Sequence, residues 1–389
     1  MPERFEIRVE PRVIEDLRSR LAAVRWPADV ENEDWFYGVN RRYLEELIGY
    51  WRNGYDWNQA LAEINSFHHY RETLDGYCIH FIREQGCGPK PIPLILTHGW
   101  PWTFWDYHRT IRPLADPAAF GADPADAFEV IVPSLPGFGF SVPVPRAGMT
   151  YWRTADLWHR LMTERLGFER YAAQGGDFGA VIASQLSHKY AASLVGIHVT
   201  NAVSPRLFAN DRPWDLLGPQ IGALSGEARA AAIRLERNVA AHITTHILDP
   251  QTLAYAMHDS PAGMLAWLLE RRRAWSDCDG EVERRFSRDH LITTAMIYWV
   301  TESFVSSVRY YADSARSKWQ PCHDRAPTYE APAGITLFLK DGASLPNDER
   351  IANYNLHFLE KRDSGGHFGP AEEPAAVVAD IRRTFRDLR

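Results

Sequence analysis

The chain has 389 residues, 45% of them hydrophobic and 24% charged, which is enough to bury at least one large core. Its formal net charge is −7 and it contains no basic stripe, so we expect no nucleic-acid partner. Four cysteines without a C-x-x-C pair do not form a disulfide scaffold in a chain of this length. Because it has no run of about 18 apolar residues and no signal peptide, we expect a soluble, cytoplasmic protein without a membrane partner.

Residues 1–90 are rich in tryptophan and tyrosine and form the first of four regions with different patterns. Apolar periodicity predicts helices over 13–24 and 41–51, and the alternating stretch 77–82 predicts a strand. We interpret this region as an N-terminal segment that wraps the rest of the protein.

Residues 91–200 alternate between short apolar runs and helical patterns. Runs at 93–97, 128–132 and 170–174 predict strands, and a helix over 151–166 separates the last two. This alternation predicts an α/β fold, with a mostly parallel, doubly wound sheet that has helices on both faces. In such sheets the chemistry lies in the loops at the carboxyl ends of the strands.

Residues 201–325 contain no strand pattern and are predicted to be helical throughout. The predicted helices in this region cover 226–241, 250–257, 261–275 and 289–311. A strand at 335–339 and a helix at 374–388 then complete the core in residues 326–389. A helical block inserted between strands of one sheet is typical of a lid that shields a pocket from water.

The sharpest motif is GGDFG at residues 175–179, directly after a predicted strand and before a predicted helix at 180–190. A side chain at the tip of a strand-to-helix elbow needs small neighbours, because the backbone is strained and closely packed there. Hydrolases usually place serine at this tip, whereas Asp177 here provides a carboxylate nucleophile suited to attack on carbon. The alternative is a glycine-rich turn with an aspartate helix cap.

Two further loops at predicted strand ends carry groups that would complete such a site. Trp100 follows a glycine after the strand 93–97, and its N–H together with the backbone N–H of Phe178 would form an oxyanion hole. His367 lies between glycines near the C-terminus, where a general base can reach the elbow, although a lone loop histidine is more often just exposed. Asp341, after the strand 335–339, can orient the His367 ring, and the order Asp177, Asp341, His367 matches nucleophile, acid and histidine in α/β-hydrolases.

Over nearly its whole length the sequence resembles the microsomal-type epoxide hydrolases, including soluble bacterial members. The resemblance rests on RWP at 25–27, PSLPGFGFS at 133–141, QGGD at 174–177 and GGHF at 365–368. It implies an α/β-hydrolase fold with a family-specific N-terminal segment. It also implies that Asp177 is the nucleophile, His367 the base and Asp341 its acid partner, with no cofactor.

The same family uses two lid tyrosines to donate hydrogen bonds to the epoxide oxygen. The resemblance places one at Tyr311, and helical spacing puts it on an apolar stripe with Ile297, Phe304 and Val308. The second position holds His242, whose protonation would depend on pH near neutrality.

His242 and His246 also have the i, i+4 spacing of a metal-binding pair on a helix. Ile243 stands where an HExxH motif has glutamate, and no third ligand is evident, so we expect no metal. Trp102 stands where relatives usually have glycine, and we expect it to narrow the pocket mouth and, with Phe138, to bind substrate.

The predicted function is hydrolysis of a small-molecule apolar or aryl epoxide to a vicinal diol, in secondary-metabolite biosynthesis or detoxification. One alternative is a haloalkane dehalogenase, but that family typically has tryptophan after the nucleophile, whereas Phe178 has no side-chain N–H. Another is a non-catalytic ligand-binding protein on the same fold, which usually lacks a triad member. The oligomeric state stays open, with a homodimer as a hypothesis.

Overall fold

The computed structural model describes residues 2–204, 206–343 and 348–389, and their strands form one nine-stranded sheet. The strands are β1 (Glu3–Arg4), β2 (His69–Leu74), β3 (Tyr77–Glu84), β4 (Ile92–Thr97), β5 (Phe128–Pro133), β6 (Tyr171–Gly175), β7 (Leu194–Val199), β8 (Tyr329–Phe338) and β9 (Tyr354–Arg362). Their order in the sheet is β1-β2-β3-β5-β4-β6-β7-β8-β9. The pairs from β5 to β9 are parallel, whereas β1, β2 and β3 join in antiparallel fashion. The mostly parallel sheet that the sequence predicts is therefore confirmed.

Helices cover both faces of the sheet and form the block between β7 and β8. They are α1 (Pro11–Ala22), α2 (Arg41–Asn53), α3 (Trp57–Ile64), α4 (His108–Ala115), α5 (Tyr151–Arg160), α6 (Phe178–Lys189), α7 (Gly218–Ile221), α8 (Gly226–Leu248), α9 (Pro250–Asp259), α10 (Pro261–Trp275), α11 (Arg288–Val300), α12 (Phe304–Arg316), α13 (Asp348–Ile351), α14 (Gly369–Glu372) and α15 (Pro374–Arg386). Helices α5 and α6 pack together beside the central strands, and α4 packs with α15. Helices α7 to α12 form the predicted helical block, which we call the lid.

The N-terminal residues contribute to both the sheet and the support of the lid. Strands β1 to β3 extend the sheet, although only β3 is predicted from the sequence. Helix α2 and the turn after it fasten lid helix α11, because the Tyr50 hydroxyl donates to Asp289 Oδ1 at 2.7 Å and the Tyr55 hydroxyl lies 3.0 Å from Thr293 Oγ1. Two of the tyrosines of this region thus attach the lid to the N-terminal segment.

The prediction of a single lid helix over 289–311 is wrong, because α11 and α12 are separate helices with a bend of 82° between them. At the break, Glu302 has a φ of 53° and the Thr301 hydroxyl donates to the Ile297 carbonyl at 2.6 Å. Ile297 therefore lies on a different helix from Tyr311, so the predicted four-residue stripe is only partly correct. No single helix within the described ranges has the length and hydrophobicity of a membrane span, although α11 and α12 reach them when taken together.

Candidate active site

Asp177 occupies a strained elbow between β6 and α6, with a φ of 51° and a ψ of −121°. The flanking glycines are required by close packing, since a Cβ on Gly179 would lie 1.9 Å from the Thr97 carbonyl oxygen. The Asp177 backbone N–H donates to Asn201 Oδ1 at 2.9 Å. Asn201 follows β7, and sequence reasoning missed it, although a polar residue after a parallel strand was the signal that could have found it.

The Asp177 carboxylate has one oxygen bound and the other directed toward histidine. The Trp100 backbone N–H donates to Asp177 Oδ1 at 2.9 Å, and a Cβ on Gly99 would lie 2.3 Å from the same oxygen. The Phe178 N–H belongs to the first turn of α6, whose N–H groups the helix itself does not use. The elbow therefore has one backbone donor bound to the Asp177 carboxylate and a second N–H, that of Phe178, at the start of α6.

His367 lies between Asp177 and Asp341, which the fold brings together from three loops. Its Nε2 is 3.3 Å from Asp177 Oδ2, an ion-pair contact whose angle falls short of a hydrogen bond. Its Nδ1 is 3.1 and 3.2 Å from the two oxygens of Asp341. Burial alone would lower the pKa of His367, but Asp341 and Asp177 outweigh it and raise the pKa to about 10. The resting histidine is therefore an imidazolium between two carboxylates.

The loop that carries His367 is held by Glu372, a residue not singled out from the sequence. The buried Glu372 carboxylate accepts hydrogen bonds from the backbone N–H groups of Asp277, Gly366 and Phe368 at 2.8 to 2.9 Å. Burial raises the pKa of Glu372 to about 7, against the opposing effect of these N–H donors. Further support comes from the carbonyl of Trp275, which accepts from the His367 N–H at 3.0 Å.

A cavity of about 100 Å³ lies between this elbow and the lid. Asp177, Asp341 and His367 form its floor, and Tyr311 faces them from α12. The neighbouring Tyr310 is also buried, but its hydroxyl lies 2.6 Å from Thr154 Oγ1 and it does not line this cavity. Burial, followed by the charge of Asp177, raises the pKa of Tyr311 well above its usual value, so its hydroxyl stays a donor.

Comparison with known proteins identifies the family to which this chain belongs. Residues 2–107 match the family model for the epoxide hydrolase N terminus, and residues 92–250 match that for the alpha/beta hydrolase fold. Epoxide hydrolase 1 of Oryctolagus cuniculus is 31% identical over 399 residues, covering 97% of this chain and 87% of that protein. The chain belongs to the epoxide hydrolase family.

Other relatives of this family support the same assignment. A Stigmatella aurantiaca protein, provisionally named an epoxide hydrolase, is 36% identical over 386 residues and covers 99% of this chain and 85% of its own length. Juvenile hormone epoxide hydrolase from Bombyx mori has a TM-score of 0.80 at 26% identity, covering 100% of this chain and 94% of that one. The Aspergillus niger epoxide hydrolase has a TM-score of 0.81 at 23% identity, with coverage of 100% and 97%. The predicted family and α/β-hydrolase fold are confirmed.

In this epoxide hydrolase, the lid residue His242 stacks on Trp100. The ring of His242 lies parallel to that of Trp100 at 5.5 Å and lines the cavity opposite Asp177. Burial, followed by His246 and Arg271, lowers the pKa of His242 well below 6.5. The expectation that His242 titrates near pH 7 is therefore wrong, because the ring is enclosed and stays neutral there.

His246 lies one turn beyond His242, does not line the cavity, and packs edge-on against the Tyr311 ring, with centroids 4.9 Å apart. Its Nε2 accepts from the Trp267 indole N–H at 3.1 Å, which places the ring proton on Nδ1. Nδ1 of His246 and Nδ1 of His242 have no hydrogen-bond partner within the part of the chain that the structure describes. The lid wall of this hydrolase thus contains buried polar atoms that the protein leaves unpaired.

Two predicted substrate-binding residues of the hydrolase do not line the cavity. Trp102 is fully buried and packs edge-on behind His367, with ring centroids 5.7 Å apart. The chain after β4 turns at once into a short 3-10 helix capped by Thr103, which draws Trp102 under the catalytic loop. Phe138 is also fully buried, against Phe178 and Tyr310. Both residues support the site from behind, which corrects the prediction.

Proposed function

We propose that the protein hydrolyses an apolar or aryl epoxide to a vicinal diol through a covalent ester on Asp177. One observation carries the proposal: a single Asp177 carboxylate has Oδ1 bound by a backbone N–H and Oδ2 turned toward His367, under a cavity faced by Tyr311. About 20% of the Asp177 side chain is exposed, compared with 6% for His367, because Asp177 faces the cavity. A nucleophile, a base and an acid therefore surround one space.

In the first step, Asp177 Oδ2 attacks an epoxide carbon while the carbon–oxygen bond of the ring breaks. The oxygen becomes an alkoxide, and the Tyr311 hydroxyl donates a proton to it. A positioned acid of this kind contributes about 10²–10⁴ in rate. Trp100 fixes Oδ1 and so presents the other carboxylate oxygen to the substrate.

The product of this step is an ester, which removes the negative charge of Asp177. Because that charge helps to raise the pKa of His367, the pKa falls when the ester forms, and the proton that the ring releases restores the Tyr311 phenol. Neutral His367 then accepts a proton from water as the water oxygen attacks the carboxyl carbon of Asp177. Asp341 fixes the ring and stabilises the imidazolium that forms.

The tetrahedral intermediate places its negative charge on the oxygen that the backbone already binds. The N–H groups of Trp100 and Phe178 stabilise this oxyanion, and one such donor contributes about 10²–10³ in rate. Collapse breaks the bond to the substrate oxygen, which takes the proton of the added water hydroxyl. The diol is released, and the Asp177 carboxylate and the His367 imidazolium are restored. On the lid side, neutral His242 would provide a second hydrogen-bond donor to the epoxide oxygen.

A single-turnover reaction with excess enzyme in oxygen-18 water tests this scheme, with racemic styrene oxide as substrate. We expect the label in the peptide that contains Asp177 and a diol that has gained unlabelled oxygen. Asp177→Asn, assayed freshly prepared, should form no diol, whereas Asp249→Asn serves as a control on the lid. A labelled diol with an unlabelled Asp177 would contradict the ester. Halide release from haloalkanes, or binding of epoxide without turnover, would favour the two alternatives.

A further inference from the structure

The cavity above Asp177 contains a second charged feature, the side chain of Arg350 from α13. Arg350 lines the same cavity as the three catalytic candidates but comes from a different segment, between β8 and β9. The walls that complete this cavity are largely apolar and include Leu207, Phe208 and Leu216. A cation in such surroundings requires an explanation, because desolvating a charge without a partner is costly.

Among the carboxylates whose side chains the structure describes, none forms an ion pair with Arg350. The adjacent Glu349 is exposed, and no ion pair joins it to Arg350. The phenols of Tyr329 and Tyr354 lie nearby, but Tyr354 already bonds to Ser184 Oγ at 2.8 Å and to the Val203 N–H at 3.1 Å. Burial lowers the pKa of Arg350, yet a guanidinium remains a cation at neutral pH.

The charges of the catalytic candidates in this cavity leave room for an anion at Arg350. Asp177 and Asp341 are compensated in part by the imidazolium of His367, which lies between them. The planar guanidinium binds carboxylates through two parallel hydrogen bonds, and such bonds are the strong ones in a poorly solvated site. A ligand that carries both a carboxylate and an epoxide would satisfy Arg350 and the Asp177–Tyr311 pair, which line the same cavity.

We propose that the substrate is an apolar epoxide that carries a carboxylate, and that Arg350 binds this carboxylate while the epoxide lies between Asp177 and Tyr311. The inference rests on the proposed function and specifies its substrate class. Arg350 is then a specificity-determining residue that makes no contact with the reacting atoms. Its loss should affect acids much more than neutral epoxides of the same length.

The test compares 9,10-epoxystearic acid with its methyl ester, which differ in charge at one end only. We expect wild type to prefer the acid in kcat/KM, mainly through KM. Arg350→Gln should lower the acid-to-ester ratio by about 10- to 100-fold, the range for a hydrogen bond to a charged group. Arg350→Lys should retain part of the preference, because it keeps the charge but loses the planar fork. The exposed Arg229→Gln in α8 should leave the ratio unchanged.

A second measurement separates recognition from turnover. Calorimetric titration of the Asp177→Asn variant with 9,10-dihydroxystearic acid and its methyl ester should show tighter binding of the acid, lost when Arg350→Gln is added. Equal losses in affinity and kcat/KM for acid and ester would mean that Arg350 acts on folding or on the electrostatic potential of the whole site. That result would overturn the inference. So would a wild type that hydrolyses styrene oxide but shows no preference for the acid. A wild type that hydrolyses none of these epoxides would contradict the proposed function itself.

Discussion

The floor and the lid wall of the cavity are built in different ways. On the floor, Asp177 Oδ1 accepts from the Trp100 N–H, the Asp177 N–H donates to Asn201, and His367 Nδ1 is held by Asp341, while His367 Nε2 faces Asp177 Oδ2 at 3.3 Å. On the lid wall, Nδ1 of His242 has no partner among the described residues. The floor is therefore preorganised before any ligand binds, whereas the lid wall retains polar atoms that a ligand or water can satisfy.

This difference separates the chemistry from the selection of substrate. A nucleophile and base must lie within a few tenths of an ångström of their reacting geometry, so glycine packing and backbone donors hold the floor. The lid wall instead carries His242 beside Tyr311, with ring centroids 5.7 Å apart, and both rings line the cavity. Substitutions on the floor should therefore act on rate in an all-or-none manner, and those on the lid in a graded one.

The largest effect is expected on the floor, at His367. His367→Gln should lower steady-state diol formation by about 10⁴, because water activation is lost while Asp177 can still be alkylated. The ester should accumulate and appear in intact mass spectra as protein plus one epoxide. His69→Gln, at a buried histidine remote from the cavity, is the control and should form no lasting adduct. An inactive His367→Gln without any adduct would place His367 in the first step instead.

On the lid, Tyr311→Phe should lower the rate of ester formation by about 10²–10³, because the alkoxide loses its acid. Tyr310→Phe is the matched control. It removes a buried hydroxyl from the residue just before Tyr311, and that hydroxyl contacts Thr154 outside the cavity. Stopped-flow tryptophan fluorescence during a single turnover measures the step for both. Equal rate losses would show that α12 packing, rather than the Tyr311 hydroxyl, is responsible.

A smaller, graded effect is expected at His242. His242→Phe keeps a ring against Trp100 but removes the N–H, and should lower ester formation about 10-fold. Because burial lowers the pKa of His242 well below 6.5, we expect no transition from its titration near pH 7, and wild type and variant should share one pH profile there. A wild-type transition near pH 7 that disappears in His242→Phe would instead indicate a cationic His242.

The smallest effect on turnover, and a clear one on stability, is expected at Glu372. Its pKa is about 7 in the folded protein and 4.5 as a free group, so the folded state holds the proton more tightly. This contribution to stability is complete below pH 4.5 and is lost as the pH rises to 7, a fall of up to about 3 kcal/mol.

Denaturant unfolding at several pH values measures this loss in the free energy of unfolding. In Glu372→Gln, the free energy of unfolding should depend less on pH. Replacing the carboxylate should also destabilise the protein at neutral pH by about 1–3 kcal/mol, because three backbone N–H groups lose a charged acceptor. Glu15→Gln, at an exposed position of α1, should change neither quantity. An unchanged slope in Glu372→Gln would mean that this carboxyl stays ionised in the folded protein.

The sequence by itself determined the strands that carry the site and the order of Asp177, Asp341 and His367. These patterns are local, since an apolar run between turns predicts a buried parallel strand, and the carboxyl ends of such strands meet at one edge of the sheet. The elbow was also recognisable in the sequence from the glycines beside Asp177. The structure gives the physical reason for them, since a Cβ at Gly179 would collide with the Thr97 carbonyl. Such close packing permits only glycine at the position.

Only the tertiary structure decided the edge strands, the lid break and the protonation of His242. Strand β9 lies at an edge and leaves Leu356 and Leu359 about 40% exposed, so its sequence lacks the pattern of a buried strand. The break after α11 contains neither glycine nor proline. His242 is neutral because Trp100 and other groups distant in sequence enclose it, and desolvation depends on neighbours that no local pattern records.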